Sequence, residues 1–382
     1  MSGDRPTTAG RLPAARSARS DGVTLALTGD VMCGRGVDQI LRHPGNPTIH
    51  ERWAKSSLAY VELAERHSGP LPRAVDPTYI WGGRLPVPGA VTVVNLETAV
   101  TDRGSPWPGK AIQYRMNPAN VETLTAAGID VAVLANNHVL DWSQPGLEQT
   151  LEVLDGAGIS SAGAGATEQQ AWSAAVVAAA TARIVVLAVG STDSGIPDAW
   201  AALDDKPGVA LVPDLSDRAV DRVVAAVDEQ TQPGDLVVLS IHWGPNWGYD
   251  IPARRRRFAH QVIDRAGVHL VHGHSSHHPL GIEVHRGHLV LYGCGDLLTD
   301  YEGIAGHEHY RGELGGIYLA TLESATGKLR RLEIAPTLVR RFRLTGPPPD
   351  DVNWLAGVLD HHGRRFGTGV DVGPSGRLIV TW

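Results

Sequence analysis

The chain has 382 residues, 42% hydrophobic and 20% charged, so it can bury a sizeable core and is not globally disordered. Its formal net charge of −7 argues against a dedicated nucleic-acid binder. Two cysteines, Cys33 and Cys294, exclude a disulfide framework and a Cys-rich zinc site, and make the cytoplasm the expected compartment.

Residues 1–22 are basic and polar without the apolar stretch of a signal peptide, and read as a disordered leader. No run approaches the ~18 apolar residues of a membrane helix, so no membrane contact is expected. From Val23 the pattern is strand, loop, helix, repeated. VTLALTG runs to Asp30, and the Pro- and Gly-rich stretch 67–89 predicts a long loop over the active face. VTVVNLE starts at Val91; IDVAVLANNH starts at Ile129, after the helix-like PANVETLTAAG. RIVVLAVGS starts at Arg183, and LVVLSIHWG at Leu236 follows a helical stretch over 214–230. VHLVHGHSSHH starts at Val268 and HLVLYGCGD at His288. The close succession of HLVLYG, GGIYLATLE and KLRRLEIAPTLV suggests antiparallel strands, and 350–367 a late helix. Val/Ile/Leu runs without alternation are strands buried on both faces, which with interleaved helices gives an α/β architecture. The expected organisation is one domain over 23–345, with 346–382 packing on it as helix and strand.

Nearly every buried run ends in metal-competent residues: Asp30; Asn95 and Glu97; Asn136, Asn137 and His138, with Asp141 one turn on; His242; His274, His277 and His278; Asp296. Strand ends of open α/β sheets converge on one crevice, and Asp, Glu, Asn and His together form a mixed oxygen and imidazole donor set.

The ordered series TGDVMCGR, NLE, ANNHVLDWSQPGLEQTL, GAG, IHWGPNWGY and GHSSHHPLGIEV resembles the CapA-type family of poly-γ-glutamate capsule synthesis, within the calcineurin-like metallophosphatase superfamily. The resemblance covers about residues 23–302. It implies a calcineurin-like four-layer α/β/β/α sandwich with a metal site at the strand ends, and Asp30, Glu97, Asn137, His242, His274 and His277 as ligands. The sequence departs from the superfamily pattern at Met32, Ser275–Ser276 and Asp296. The set then looks short of a full two-metal complement, so one divalent ion, Ca, Mn or Mg rather than Zn, is expected.

Without a nucleophile elbow, the remaining chemistry is acid–base. His138 with Asp30 or Asp141, and His274 or His277 with Asp296, would form His/carboxylate pairs able to remove and return a proton. That is epimerase chemistry, and within the CapA-type group the chain is similar to an epimerase of lasso-peptide biosynthesis. The leading expectation is therefore a metal-dependent peptide epimerase. The alternatives are a hydrolase of the same fold and an accessory protein binding a polyglutamyl chain. Expected substrate contacts are Asn95, Asn136, Trp243, Trp247 and Arg254; core packing is as common a role for the two Trp, and for the four-Arg run at 254–257 a solvated helix face is the commoner case. Asp296 could equally be a turn residue bonded to its own loop. His307 and His309 could be additional ligands, a surface loop being the commoner case.

Overall fold

The computed structural model describes residues 22–382. All of the expected leader except Gly22 lies outside the described residues, and Gly22 already belongs to the first strand. The first sheet begins with four parallel strands: β1 (Gly22–Val31), β2 (Val91–Leu96), β3 (Val131–Val133) and β4 (Ser160–Ala162). Helices α1 (Leu58–Ser68), α2 (Val121–Ala126) and α3 (Ser143–Gly156) lie in the crossovers.

The second sheet has β5 (Arg183–Ser191), then α4 (Asp217–Gln230), β6 (Leu236–His242), α5 (Ala253–Ala266), β7 (Leu270–His274), β8 (Ile282–His285) and β9 (His288–Leu291), ordered β5-β6-β7-β9-β8. The chain then returns to the first sheet. There β10 (Asp296–Leu298) lies parallel to the end of β1, and β11 (Leu314–Glu323) and β12 (Leu329–Val339) extend the sheet antiparallel. After α6 (Pro349–Gly363), β14 (Leu378–Thr381) pairs onto β12 and β13 (Gly369–Val372) onto β14, so the last segment completes the first sheet.

The expected antiparallel portion is thus β11 and β12. The run HLVLYG differs: β9 lies parallel to β7 and antiparallel only to β8.

Side-chain alternation builds the layers. Leu25, Leu27, Val91, Val93, Val131 and Val133 face Ile184, Val186, Leu236, Val238 and Leu270 between the sheets. The opposite faces of β2 and β3 (Val94, Leu96, Ala132, Leu134) meet Leu124, Leu147 and Leu154 of the helices. On the other side Val237, Leu239, Ile241 and Val271 meet α4 and α5 through Val220, Val223, Phe258 and Val262. The result is the expected α/β/β/α sandwich.

The loop 67–89 does not cover the strand ends as expected. Its first residues stay near them, but Ile80, Trp81 and Leu85 pack into the outer core of the first sheet. The loop ends at the opposite end of the strands, where Pro86 touches Gly128 ahead of β3. Three large apolar side chains had to be buried, and the outer face offered the room. Among the described residues no helix is long and apolar enough to cross a membrane.

Candidate metal centre

Alternation along β6 and β7 sends Ser240, His242, His272 and His274 into the space between the sheets, in phase with Val238 and Leu270. The same phase in β2 places Asn95 and Glu97 there beyond Val93. Asp30 is out of phase with Leu25 and Leu27. A register shift between Leu27 and Asp30 turns it inward, flanked by Asn95 of β2 and Asp296 of β10. The approach is close: a Cβ on Gly29 would lie 1.5 Å from the Gly295 carbonyl oxygen, so only glycine fits.

The converging residues form one buried cluster. Asn95 Nδ2 donates to Asp30 Oδ1 (2.7 Å) and Glu97 Oε2 (2.8 Å), bridging the two carboxylates. His277 Nδ1 donates to Asp296 Oδ1 at 2.9 Å and lies 3.9 Å from Asp30 Oδ2. His242 and His274 meet through their Nδ1 atoms at 2.8 Å, and His274 Nε2 is 2.9 Å from Ser240 Oγ. Asn137 Oδ1 accepts from His242 Nε2 at 3.1 Å. Two three-residue sets have ligand atoms within 4.8 Å of one another: Asp30, His242, His274, and Asp30, His277, Asp296. They share Asp30, so the geometry offers two overlapping donor sets where one was expected.

The residues fit a cation. Asp30 Oδ2 and Asp296 Oδ2 are buried and unpartnered among the described residues. Burial, then the Asp296 charge, pushes the Asp30 carboxyl up to about 7. Burial and the Asp30 charge hold Glu97 far above the usual carboxylate range, and burial raises Asp296 too. Three acids crowded together, their charge offset only in part by His277, are what a divalent ion would relieve. Burial holds His242 and His274 far below the usual imidazole value, leaving both neutral, as ligands must be. Burial also pulls His277 down, but the Asp296 charge, its hydrogen bond and Asp30 outweigh it, and the net shift is upward.

The His/carboxylate partners resolve. His138 pairs with Asp141, not Asp30: Nδ1 donates to Asp141 Oδ2 at 2.7 Å, which leaves Nε2 facing Glu97 at 3.9 Å. Burial lowers His138 to about 4 despite Asp141, so the ring is neutral with a fixed tautomer. Asp296 pairs with His277, not His274, and is not held by its own loop. Ser275 and Ser276 bond to the carbonyls of Gly244 and His278 and are loop residues.

Several expected substrate contacts are corrected. Asn95 spends its amide on Asp30, Glu97 and Asn136, so it positions carboxylates. Asn136 donates to Asn95 and to the Leu96 carbonyl and accepts from the His138 and Val139 amides, which leaves it nothing to offer a substrate. Trp243 has the opposite phase to His242 and is buried against Phe258 and Tyr292, on the helix side of the sheet. Arg254 is 63% exposed beside Asp193, while Arg255 is the buried member of the run. Trp247 does border the centre, with its ring 5.4 Å from that of His277. His307 and His309 belong to neither donor set. His307 stacks on Trp247 at 4.1 Å instead. Cys33 and Cys294 are free and buried in the cores.

Sequence reasoning missed Lys110, Ser240 and Asn246, and read Tyr301 only as part of a surface loop near the site. Lys110 Nζ donates to the Asn137 carbonyl and lies 3.3 Å from Asp141 Oδ1, giving the centre one cation at its edge. Asn246 Nδ2 and His277 Nε2 are 3.0 Å apart, and Tyr301 stands edge-on to the same ring. Ser240 was legible, lying two residues before His242 and so on the same face of the strand. Lys110 gave no signal, since it sits in an irregular Pro/Gly loop.

The chain matches the bacterial capsule synthesis protein family PGA_cap over residues 24–301. It is 46% identical over 366 residues to a probable polyglutamine synthesis accessory protein of Mycobacterium tuberculosis, covering 94% of this chain and 96% of the relative. It is 26% identical over 291 residues to the PGA biosynthesis protein CapA of Bacillus subtilis, covering 75% of this chain and 66% of that one. A capsule biosynthesis protein CapA of Bacillus anthracis is 24% identical over 281 residues, covering 73% and 60%. The chain belongs to the PGA_cap family.

Proposed function

We propose that this PGA_cap protein is a metal-dependent accessory protein of polyglutamyl polymer synthesis, and that its buried centre engages the carboxylates of the chain. The observation that carries the reading is the pair of donor sets sharing Asp30, with two unpartnered carboxylate oxygens turned into them. Asp30, His242 and His274, and Asp30, His277 and Asp296, are the residues that would hold the ion. Mixed carboxylate and imidazole donors favour Mn over Ca and Mg. When bound, a divalent ion supplies positive charge and Lewis acidity toward a substrate oxygen.

The chain itself carries a net charge of −7 and repels a polyanion at long range. Local positive charge is therefore required, and Lys110 adds to it at the edge of the centre. His138, neutral and held by Asp141, keeps a free Nε2 lone pair toward the cluster and can accept a hydrogen bond there. The name of the near-full-length relative favours the accessory reading over the peptide epimerase.

The test is calorimetric titration of the chelator-stripped protein with oligoglutamate, with and without Mn²⁺. Binding should require Mn²⁺ and vanish in Asp30→Asn and His242→Ala. Equal binding by the stripped protein would overturn the reading. Turnover of a generic aryl phosphate without oligoglutamate binding would return the protein to the hydrolase alternative.

A further inference from the structure

On the His277 side of the centre lies a cavity of about 520 Å³, within the size range of sites for small ligands. Trp247 and Tyr301 line it and also pack on His277, with ring centroids 5.4 and 5.3 Å away. The cavity therefore adjoins the metal centre through two shared side chains. Much of the remaining wall is apolar, from Ile304, Ala305, Leu338 and Val339.

The loop carrying Ile304 turns at Gly303 (φ +83°) and Gly306 (φ +113°). Glu302 fixes the base of that loop by accepting from the Arg341 and Phe342 amides at 2.8 and 2.7 Å. Ile304 is nevertheless 44% exposed, an apolar side chain held at a pocket rim.

The charged lining is unevenly committed. Glu302 is used by the backbone, and Glu313 pairs with Arg311 at 2.9 Å. Glu308, His67 and His307 complete the ionisable lining. Arg340 is exposed and makes no ion pair among the described residues. An aromatic and aliphatic wall with an unpaired guanidinium at the rim matches a chain of methylenes and amides that carries carboxylates.

We infer that this cavity is a chain subsite: it holds the glutamyl residues flanking the one engaged at the metal centre. Trp247 and Ile304 contact the methylenes and amides, and Arg340 binds a flanking carboxylate. The inference rests on the function proposed above and adds to it a direction for the chain and the residues that select for length.

The test titrates glutamate, diglutamate and tetraglutamate into the Mn²⁺-loaded protein. Affinity should rise about tenfold or more from glutamate to tetraglutamate, equal to about 1.4 kcal/mol. In Arg340→Ser and Ile304→Asp, both exposed and so safe for folding, most of that rise should disappear while Mn²⁺ affinity stays at the wild-type value. Trp247→Ala should lose it too, and is compared with the other two because it touches His277. If the wild type shows no gain with length but still binds glutamate through Mn²⁺, or if the exposed variants keep the full gain, the subsite is refuted and the metal-centre reading stands. If the loaded protein binds none of the three, both fall.

Discussion

Replacing Asp30 by Asn should make the metal-free protein more stable at neutral pH, although the residue is central to the site. Burial and the Asp296 charge raise the folded-state pKa of Asp30 from 3.8 to about 7. A raised carboxyl pKa means that the folded protein holds a proton that the unfolded chain has lost. Stability therefore falls as pH rises from the unfolded value toward the folded one. At about 1.4 kcal/mol per pH unit, Asp30 costs the metal-free fold about 4 kcal/mol at pH 7.5 and less than half of that at pH 5. Asn removes the charge and keeps an acceptor for Asn95. With ~2.1 cal/mol/K of unfolding entropy per residue over the roughly 360 described residues, 1 kcal/mol is worth about 1.3 °C. Scanning calorimetry of chelator-stripped protein should then show Tm raised by about 5 °C at pH 7.5 and about 2 °C at pH 5. Mn²⁺ at 100 times its Kd should stabilise the wild type by about 2.7 kcal/mol and leave the variant unmoved. A metal-free variant that melts at or below the wild type at pH 7.5, or gains equally at both pH values, would refute the account of crowded, only partly compensated carboxylates.

Two further substitutions test the frame around the centre. Arg35→Met strips the cation from buried Asp300 and Glu51, which Arg35 holds at 2.8 and 3.2 Å, and should cost about 3–5 kcal/mol in urea unfolding. A wild-type midpoint would show that the pair is already neutralised by other means. Gly29→Ala forces a methyl group onto the Gly295 carbonyl and should cost at least about 1–3 kcal/mol. It should also weaken Mn²⁺ binding, because the ends of β1 and β10 that carry Asp30 and Asp296 must part; unchanged affinity would mean that the register of those strands does not set the site.

Much of the architecture was legible because its signals are local. Runs such as VTVVNL and LVVLSIH have the composition of strands buried on both faces, and each ends in polar residues that a core does not tolerate without a partner. The amphipathic spacing of Ala219, Val220, Val223, Ala226 and Val227 marks a helix that packs on a sheet. Alternation also carried information not fully used: it separates His242, turned between the sheets, from Trp243, turned toward α5. The loop 67–89 was misplaced because Pro and Gly announce irregular backbone without saying which face its apolar residues will cover.

The sequence by itself determined the layered fold and the inventory of donors: Asp30, Glu97, His242 and His274 at the ends of buried strands, His138 and His277 just beyond, and Asp296 opening β10. Only the tertiary structure decided how the inventory is wired. Partners such as His138 with Asp141, or His277 with Asp296, depend on loop geometry that no periodicity encodes. The inward turn of Asp30 depends on a register shift against the neighbouring strand, which exists only once β1 and β2 are paired. Lys110, Asn246 and the cavity beside His277 come from loops far apart in the chain. Their meeting is a property of packed elements, because distances between loops are set by the sheets beneath them.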